Sequence, residues 1–235
     1  MKLFYIRHGQ STNNLLWALK GEEESRVEDP LLTDVGKEQA RKLAAFVRDQ
    51  IIGMECKFNG YIPRITIYCS LMIIAVETGL QISQALELPL FAYPDVHEIG
   101  GIYLADETTG EKVGLAGKSK SYFLKNYPTL FLSSNMSDAG WWGKLSEKRS
   151  DAYNRALRVK KVLFDLHPDE DEIVILVSHA GFYNAFLKAS LDLGMDYPLW
   201  FELNNAAISL MKSKQGILEI CYLNRFEHIP HQMRT

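Results

Sequence analysis

Residues 2–14 are KLFYIRHGQSTNN, a short apolar run followed directly by an arginine, a histidine and a glycine. The stretch Lys2–Ile6 predicts a buried strand that delivers Arg7, His8 and Gly9 together at its carboxyl end, where ligands bind in open α/β sheets. A neutral imidazole can attack a phosphoryl group, and a guanidinium holds phosphate oxygens through its fork of donors. A glycine lets the backbone approach an anion closely. The stretch therefore indicates phosphoryl chemistry at a strand end.

The rest of the chain alternates predicted strands and helices. Apolar patterning and end signals predict strands at Arg64–Cys69, Ile173–Val177, Ala206–Met211 and Ile217–Leu223, and helices at Asp34–Gln50, from a Ser70 cap to Leu88, Glu147–Leu166 and Gly181–Leu193. Thr33 is the expected cap of the first of these helices, and Leu15–Leu19 is expected to be a loop. Such an alternation predicts a three-layer α/β/α sandwich around a mostly parallel sheet, in a single domain spanning residues 1–235.

Composition narrows the class of protein. The chain has 235 residues, of which 47% are hydrophobic and 23% charged, with a net charge of −3, so no basic excess points to nucleic acid. No apolar run has the length of a membrane span, no leader pattern precedes the first strand, and a cytoplasmic location is expected. Cys56, Cys69 and Cys221 have no disulfide or zinc spacing and are expected to be buried or partly buried free thiols. The acidic run Glu22–Glu24 is expected to be a solvated surface.

Four stretches resemble the histidine phosphatase superfamily, in the branch that includes the phosphoglycerate mutases and related phosphatases. They occur in the family's order: Arg7-His8-Gly9 with Asn14, Leu32-Thr33 with Gly36, Gln39 and Ala40, Ser70 with Ala75 and Thr78, and Val177-Ser178-His179-Ala180-Gly181. Each is a weak signal alone, but together they cover most of the chain.

The resemblance implies a role for each residue of the motifs. His8 would be the nucleophile that forms a phosphohistidine, and His179, at a second strand end, would stabilise the phosphoryl group together with Arg7. Asn14 and Gln10 would complete the phosphate-binding loop. Glu98 would protonate the leaving oxygen and later activate water, although the glycines after it depart from the common family pattern. No metal ligands or cofactor motif are recognisable, so neither is expected.

One expected residue is missing. The family carries a second pocket arginine just before the alanine of the Ser70 motif, and this chain has Ile74 there. Losing one donor of this type costs on the order of 3 to 4 kcal/mol, roughly a hundred- to a thousandfold in rate. An arginine on a phosphoryl group can be worth about 10³ to 10⁵. Candidate replacements are Arg64, at the wrong end of its strand, and the lysines Lys112, Lys118 and Lys120, none of which is compelling.

The segment 100–146 differs from the rest, because it is rich in glycine, serine, lysine and aromatic residues and has one short helix candidate, Lys120–Asn126. By the resemblance it is an inserted cap over the active site that shapes substrate choice. The alternative is a surface excursion without a role.

These observations favour a metal-independent phosphomonoester hydrolase acting on a small phosphorylated metabolite. The alternative is a non-catalytic or weakly active relative that binds an anionic ligand or a protein partner, which Ile74 favours. A phosphoglycerate-type mutase is a second alternative. The substrate and the oligomeric state are left open.

Overall fold

The computed structural model describes residues 1–21, 26–53, 63–106 and 108–235. The predictions for Cys56 and for Glu22–Glu24 lie outside these ranges. Within them, no helix has both the length and the apolar character needed to cross a bilayer.

Nine strands and six α-helices make up the described part of the chain. The strands are β1 Lys2–Arg7, β2 Ile65–Cys69, β3 Leu90–Ala92, β4 Tyr103–Ala105, β5 Lys112–Gly114, β6 Leu130–Phe131, β7 Ile173–Ser178, β8 Ile208–Lys214 and β9 Ile217–Arg225. The α-helices are α1 Thr12–Lys20, α2 Asp34–Phe46, α3 Ile73–Leu86, α4 Lys120–Asn126, α5 Arg149–Leu166 and α6 Ala180–Ser190.

Seven strands form one sheet in the order β6-β3-β2-β7-β1-β8-β9, and β4 and β5 form a separate hairpin. The five strands from β6 to β1 run parallel, whereas β8 and β9 are antiparallel additions at one edge. β1, β2 and β7 are neighbours, so their carboxyl ends lie side by side. The mostly parallel sheet of the prediction is confirmed.

Each face of the sheet carries its own apolar core. On β1, Phe4 and Ile6 belong to one core together with residues of α2 and α3, while Leu3 and Tyr5 belong to the other together with residues of α5 and α6. The alternation of side chains along a strand produces this division. Helices therefore cover both faces, and the three-layer α/β/α sandwich is confirmed.

Several predicted boundaries move. The helix predicted to Gln50 ends as an α-helix at Phe46 and continues as a π-helix over Val47–Ile52. The last predicted helix, Gly181–Leu193, starts one residue earlier and ends at Ser190. Leu15–Leu19 was expected to be a loop and is instead helical, within α1. Ser11 begins that helix by accepting from the Asn14 N–H, and the Asn14 side chain accepts from the Ser11 N–H, a reciprocal pair that the sequence pattern did not single out.

The prediction that Ser70 caps α3 is wrong. The helix starts at Ile73, its cap position is Met72, and the Ile73 N–H donates instead to the buried Asp29 carboxylate at 3.0 Å. A carboxylate satisfies a helix N-terminus well. Ser70 is thereby left for another role in the site.

The segment 100–146 contains more regular structure than its composition indicates. The predicted helix Lys120–Asn126 is confirmed, but β4 and β5 form a hairpin and β6 extends the main sheet beside β3. Phe123 and Leu130 are buried in the main core. The segment is therefore partly integrated into the sandwich. Cys69 is a buried free thiol as predicted, but Cys221 is exposed on the edge strand β9.

Candidate active site

The two histidines of the motifs meet at the carboxyl ends of adjacent strands. β1 and β7 are parallel and pair Arg7 with Ser178, so the next residues, His8 and His179, emerge at the same level. Their ring centroids are 5.0 Å apart, and both side chains are buried. The placement of both at one crevice follows from the register of the strands.

The loop after His8 is packed tightly against the start of α2. A Cβ on Gly9 would lie 2.4 Å from the Gly36 carbonyl oxygen, and one on Gly36 would lie 2.0 Å from that of Gln10. These backbones can touch only because both residues are glycines. The Gly9 N–H donates to Thr78 Oγ1 at 3.1 Å, and the Gln10 N–H donates to Gln39 Oε1 at 2.7 Å. Residues of three of the motifs thus form one hydrogen-bonded unit around His8.

The tautomer of His8 follows from its hydrogen bond. Nδ1 lies 2.6 Å from the Gly9 carbonyl oxygen, which can only accept, so Nδ1 carries the proton and Nε2 carries the lone pair. Burial, and secondly the charge of Arg7, lower the pKa of His8 to about 3. The imidazole is therefore neutral at physiological pH, the form in which it is a nucleophile.

His179 is held by a hydrogen bond at Nε2, whereas His8 is held at Nδ1. Its Nε2 lies 2.7 Å from Ser70 Oγ, the hydroxyl freed from helix capping. Its backbone is fixed by the buried Tyr5 hydroxyl, which donates to the His179 carbonyl and to Ser178 Oγ. Burial, and secondly the neighbouring His8, lower the pKa of His179 well below its usual range. Both histidines of the crevice are thus neutral.

Glu98 is bound to the N-terminus of α6. Its Oε1 accepts from the N–H groups of Ile99 at 2.7 Å and Phe182 at 2.8 Å, and Oε2 accepts from the Gly181 N–H at 3.0 Å. A Cβ on Gly181 would lie 2.4 Å from Oε1, so the glycine makes this approach possible. The N-terminal amides of α6 thus hold the protein's own carboxylate.

A buried ion pair supports the segment that carries Glu98. Arg155 on α5 makes a two-pronged contact with the Glu147 carboxylate, at 2.8 and 2.6 Å, and donates to the carbonyls of Asp95 and His97. His97 in turn donates from Nδ1 to the Glu98 carbonyl, and burial, followed by Arg155, lowers its pKa to about 3. His97 therefore shapes the turn and does not face the cavity.

These groups surround a cavity of about 210 Å³. It is lined by Arg7, His8, Ser11, Asn13, Asn14, Leu16, Trp17, Arg26, Glu28, Pro30, Met72, Ile74, Glu98 and His179. Six of the seven predicted site positions are brought together here. The exception is Gln10, whose side chain accepts from the Thr33 hydroxyl at 2.7 Å and is not among the lining residues.

Arg7 presents donors to this cavity. Its Nη1 donates to the Leu203 carbonyl at 2.7 Å, and its Nε is buried with no partner among the described residues. Burial lowers the pKa of Arg7 to about 10, which leaves it charged at neutral pH. We call Arg7, His8, Glu98 and His179 the nucleophile side of the cavity.

The opposite boundary is apolar. We call Leu16, Trp17, Pro30, Met72 and Ile74 the apolar side. Ile74 and Met72 pack into a small core with residues of the segment 100–146, namely Ile102 and Trp142. Ile74 is therefore part of a packed apolar cluster. The turn 70–75 that carries Ile74 contains no basic residue that could supply the cation instead.

The lysines suggested as replacements do not line the cavity. Lys112 donates to the Tyr103 hydroxyl, Lys118 lies over the Tyr122 ring, and Lys120 donates to the Ser134 carbonyl. Arg64 pairs with Glu172 at the opposite end of the sheet.

Arg26, which sequence reasoning missed, does line the cavity. It lies in the irregular stretch between α1 and α2, where no periodic signal marks a residue. Its one sequence cue is that it is the sole basic residue between Lys20 and Asp34. Among the described residues, no group of three or more histidine, cysteine, aspartate or glutamate side chains has the arrangement of a metal site.

The sequence matches the model of the histidine phosphatase superfamily (branch 1) over residues 3–225. This match spans nearly the whole chain, and the chain belongs to that superfamily. The resemblance seen in the motifs is thereby confirmed.

Solved structures share the fold at low sequence identity. The phosphoserine phosphatase of Entamoeba histolytica, in complex with 3-phosphoglyceric acid, is 21% identical, with a TM-score of 0.60 over 97% of this chain and 99% of that one. A mycobacterial glucosyl-3-phosphoglycerate phosphatase bound to VO3 is 17% identical, with a TM-score of 0.61 over 95% of this chain and 99% of that one. The protein YhfR of Bacillus stearothermophilus is 17% identical, with a TM-score of 0.59 over 97% and 99%. No curated protein sequence matches the chain.

Proposed function

We propose that the chain is a phosphomonoester hydrolase that works through a phosphohistidine on His8 and needs no metal ion. The observation that carries the proposal is the state of His8: its proton is held on Nδ1 by the Gly9 carbonyl, which leaves the Nε2 lone pair for attack, and His8 lines the cavity. The superfamily membership and the phosphatase neighbours support the same activity.

The first step is attack of His8 Nε2 on phosphorus. The N–P bond forms while the P–O bond to the leaving alcohol breaks, and Arg7 donates to the phosphoryl oxygens where negative charge develops. His179 contributes if its Nε2 accepts from the Ser70 hydroxyl, because its proton then lies on Nδ1 and is available to the phosphoryl group. Asn14 lies in the first turn of α1, with its Oδ1 accepting from Ser11 and Asn205, so its amide N–H groups remain as donors.

Glu98 moves the protons. In its protonated form it gives a proton to the leaving oxygen, and the resulting carboxylate then takes a proton from the water that cleaves the N–P bond. Oε2 is the suited atom, because it has one backbone N–H contact whereas Oε1 has two. Inorganic phosphate and the free His8 are restored at the end of the cycle.

A non-catalytic or weakly active role remains the second candidate, because Ile74 replaces a cation with an apolar surface. The intact nucleophile side argues against it, since a protein that only bound a partner would have no use for a buried, tautomer-locked His8. The mutase alternative has no specific support, because α1 presents Leu16 and Trp17 to the cavity where a phosphosugar acid would need polar groups.

The test is release of phosphate from p-nitrophenyl phosphate and from a panel of phosphorylated metabolites, with EDTA present. His8→Ala is the test variant, and His231→Ala, at an exposed histidine, is the matched control. Removing a nucleophile costs on the order of 10³- to 10⁶-fold in turnover. Wild-type enzyme that is quenched during turnover should also carry a phosphate that is labile to acid and stable to alkali.

Release that survives in His8→Ala would reject His8 as the nucleophile. If the wild-type protein releases no phosphate from any ester, while thermal shifts show that it binds inorganic phosphate, the anion-binding role is favoured.

A further inference from the structure

The charges around the cavity raise the question of what holds a phosphate dianion. Among the described lining residues, the cationic side chains are Arg7 and Arg26, and the acidic ones are Glu28 and Glu98. With Arg7 alone, the formal charge of these groups would be negative, which opposes a dianion. Arg26 brings the formal sum to zero before any proton is placed on Glu98.

Arg26 is held in place by a tyrosine from the segment 100–146. Its Nη1 donates to the Tyr103 hydroxyl at 2.6 Å, and its guanidinium carbon lies 4.2 Å from the centroid of the Tyr103 ring. Tyr103 is buried, so it is a fixed support for a side chain that is otherwise long and rotatable. An arginine that is held in this way loses less freedom when it binds a ligand.

Tyr103 also touches the turn that follows Glu98. A Cβ on Gly100 would lie 2.5 Å from the Tyr103 ring, and Gly100 has φ +94°, a conformation that suits glycine. Similarly, a Cβ on Gly101 would overlap Trp142 at 2.2 Å. The glycines that depart from the family pattern are thus the ones that let the aromatic residues of this segment approach the site. The same segment covers the back of Ile74 through Ile102 and Trp142.

We propose that Arg26 is the second arginine of the phosphate site, supplied from the stretch after α1 in place of position 74, and that Tyr103 is its positioning residue. This inference rests on the proposed function for its kinetic test but not for its binding test. The guanidinium of Arg26 takes the part of the lost donor by binding phosphoryl oxygens together with Arg7. The loss of one arginine and the presence of another are then a single change of the site.

The kinetic experiment is a double-mutant cycle between positions 26 and 74. Arg26→Ala is expected to lower kcat/KM by roughly a hundredfold, as removal of one transition-state donor does, and Arg26→Lys by less. Ile74→Arg is expected to raise kcat/KM at least tenfold more in the Arg26→Ala background than in the wild type. Arg41→Ala, at an exposed surface arginine paired with Glu38, is the matched control and should leave kcat/KM unchanged.

Tyr103→Phe tests the positioning role, because it keeps the ring and removes the hydroxyl. We expect a several-fold rise in KM in the wild-type background and no further rise in the Arg26→Ala background. A purely structural role of Tyr103 would give the same effect in both backgrounds and would overturn this part of the proposal.

Calorimetric binding of inorganic phosphate separates this inference from the proposed function. If Arg26→Ala weakens phosphate binding at least tenfold while no ester is hydrolysed by the wild type, Arg26 is a phosphate ligand and the hydrolase proposal fails. If the wild type hydrolyses esters and Arg26→Ala changes neither phosphate binding nor kcat/KM, the Arg26 proposal is overturned and the hydrolase proposal stands.

Discussion

The nucleophile side of the cavity is a network of hydrogen-bonded polar groups on strand ends and a helix start, whereas the apolar side consists mainly of hydrophobic side chains, from the buried Met72 and Ile74 to the exposed Trp17. On the first side, each reacting group has a partner that fixes its orientation: the Gly9 carbonyl for His8, Ser70 for His179 and the α6 amides for Glu98. On the second side, Ile74 and Met72 belong to a small core. The side chains that the proposal assigns to bond making and breaking therefore lie at strand ends and at the start of α6, whereas Ile74 and Met72 lie in an apolar cluster.

Within one cavity, the residues proposed to make and break bonds and the residues of the apolar side are therefore two separate groups. The nucleophile side depends on the register of β1 and β7, so it is tied to the fold itself. On the apolar side, Leu16, Trp17 and Pro30 come from α1 and the stretch before α2, whereas Met72 and Ile74 follow β2 and pack against residues of the segment 100–146.

After removal of His8 itself, the largest effect is expected from Glu98→Gln on the nucleophile side. The amide keeps the shape, and its oxygen can still accept from the Ile99 and Phe182 N–H groups, but its NH2 group would face the Gly181 N–H, and it cannot donate and retake the catalytic proton. General acid–base catalysis typically contributes about 10² to 10⁴ in rate, and kcat should fall within this range. The fall should be larger with alkyl esters than with p-nitrophenyl phosphate, because alkyl alcohols are poorer leaving groups and depend more on protonation. Steady-state kinetics with both kinds of ester measure it.

The matched control for this variant is Glu28→Gln, at the other lining carboxylate, which is expected to change kcat by less than about threefold, the scale of a modest interaction. Equal losses in the two variants would mean that Glu98 has no special role in moving the proton.

The next prediction concerns the pH dependence of the free energy of unfolding, which follows from the burial of His8 on the nucleophile side. Burial, the main cause, lowers the pKa of His8 to about 3, whereas an unfolded histidine titrates near 6.5. Between these values the unfolded chain binds a proton that the folded His8 does not, so the free energy of unfolding falls as the pH falls below about 6.5. Each such histidine contributes up to about 1.4 kcal/mol per pH unit.

Urea unfolding of the wild type and of His8→Asn at pH 6.5, 6.0, 5.5 and 5.0 measures this slope. The variant should have a shallower slope by about one proton, and a substitution of the exposed His231 to asparagine should leave the slope as it is. The same state of His8 predicts that kcat/KM does not decline through loss of the nucleophile between pH 7 and 5. A slope unchanged by His8→Asn would mean that His8 is charged in the folded protein and that the tautomer argument fails.

Sequence reasoning predicted the nucleophile side because its residues have local signals. His8 and His179 each end an apolar run, and parallel strands bring their carboxyl ends together, so a one-dimensional pattern carries three-dimensional information. The Thr33 cap follows similarly from short-range spacing, and its hydroxyl accepts from the Gly36 N–H at 3.0 Å. Ser70 shows the limit: its type suits a helix cap, but the Asp29 carboxylate takes that role from 44 residues away and leaves Ser70 to His179.

Arg26 and the binding of Glu98 could not be predicted for a related reason. Both depend on long-range contacts made by residues in irregular stretches, Arg26 with Tyr103 of β4 across 77 residues and Glu98 with Phe182 of α6 across 84. Loops have no periodicity that assigns a direction to a side chain. The strands within 100–146 were missed because they are two or three residues long, too short for an alternating pattern to be recognised.

A smaller effect is expected when a cation is returned to the apolar side. Ile74→Arg should raise kcat/KM about tenfold in the wild-type background, less than the hundred- to thousandfold value of a missing donor, because Arg26 already supplies one. Ile74→Met, which keeps an apolar side chain of similar volume, is the control and should leave kcat/KM nearly unchanged. Thermal unfolding of both variants separates a change in the site from a change in stability.

A loss of activity in Ile74→Arg with an unchanged Tm would contradict the expected rise in kcat/KM. It would mean that the apolar side binds the carbon part of the substrate and that a charge at position 74 competes with it.

The smallest effect is expected at the rim of the apolar side, from Trp17→Ala. Trp17 is 59% exposed on α1 and lines the cavity, so its ring is available to an aromatic leaving group. An aromatic contact of this kind is worth about 1 kcal/mol, or about fivefold in kcat/KM. We therefore expect Trp17→Ala to lower kcat/KM for phenyl phosphate about fivefold and to leave that for ethyl phosphate unchanged. The matched control is Leu19→Ala, because Leu19 is 74% exposed on the same helix but is not among the lining residues. Equal losses for the two esters would show that Trp17 supports the position of Asn14 on α1 and does not contact the leaving group. In that case α1 would be part of the nucleophile side.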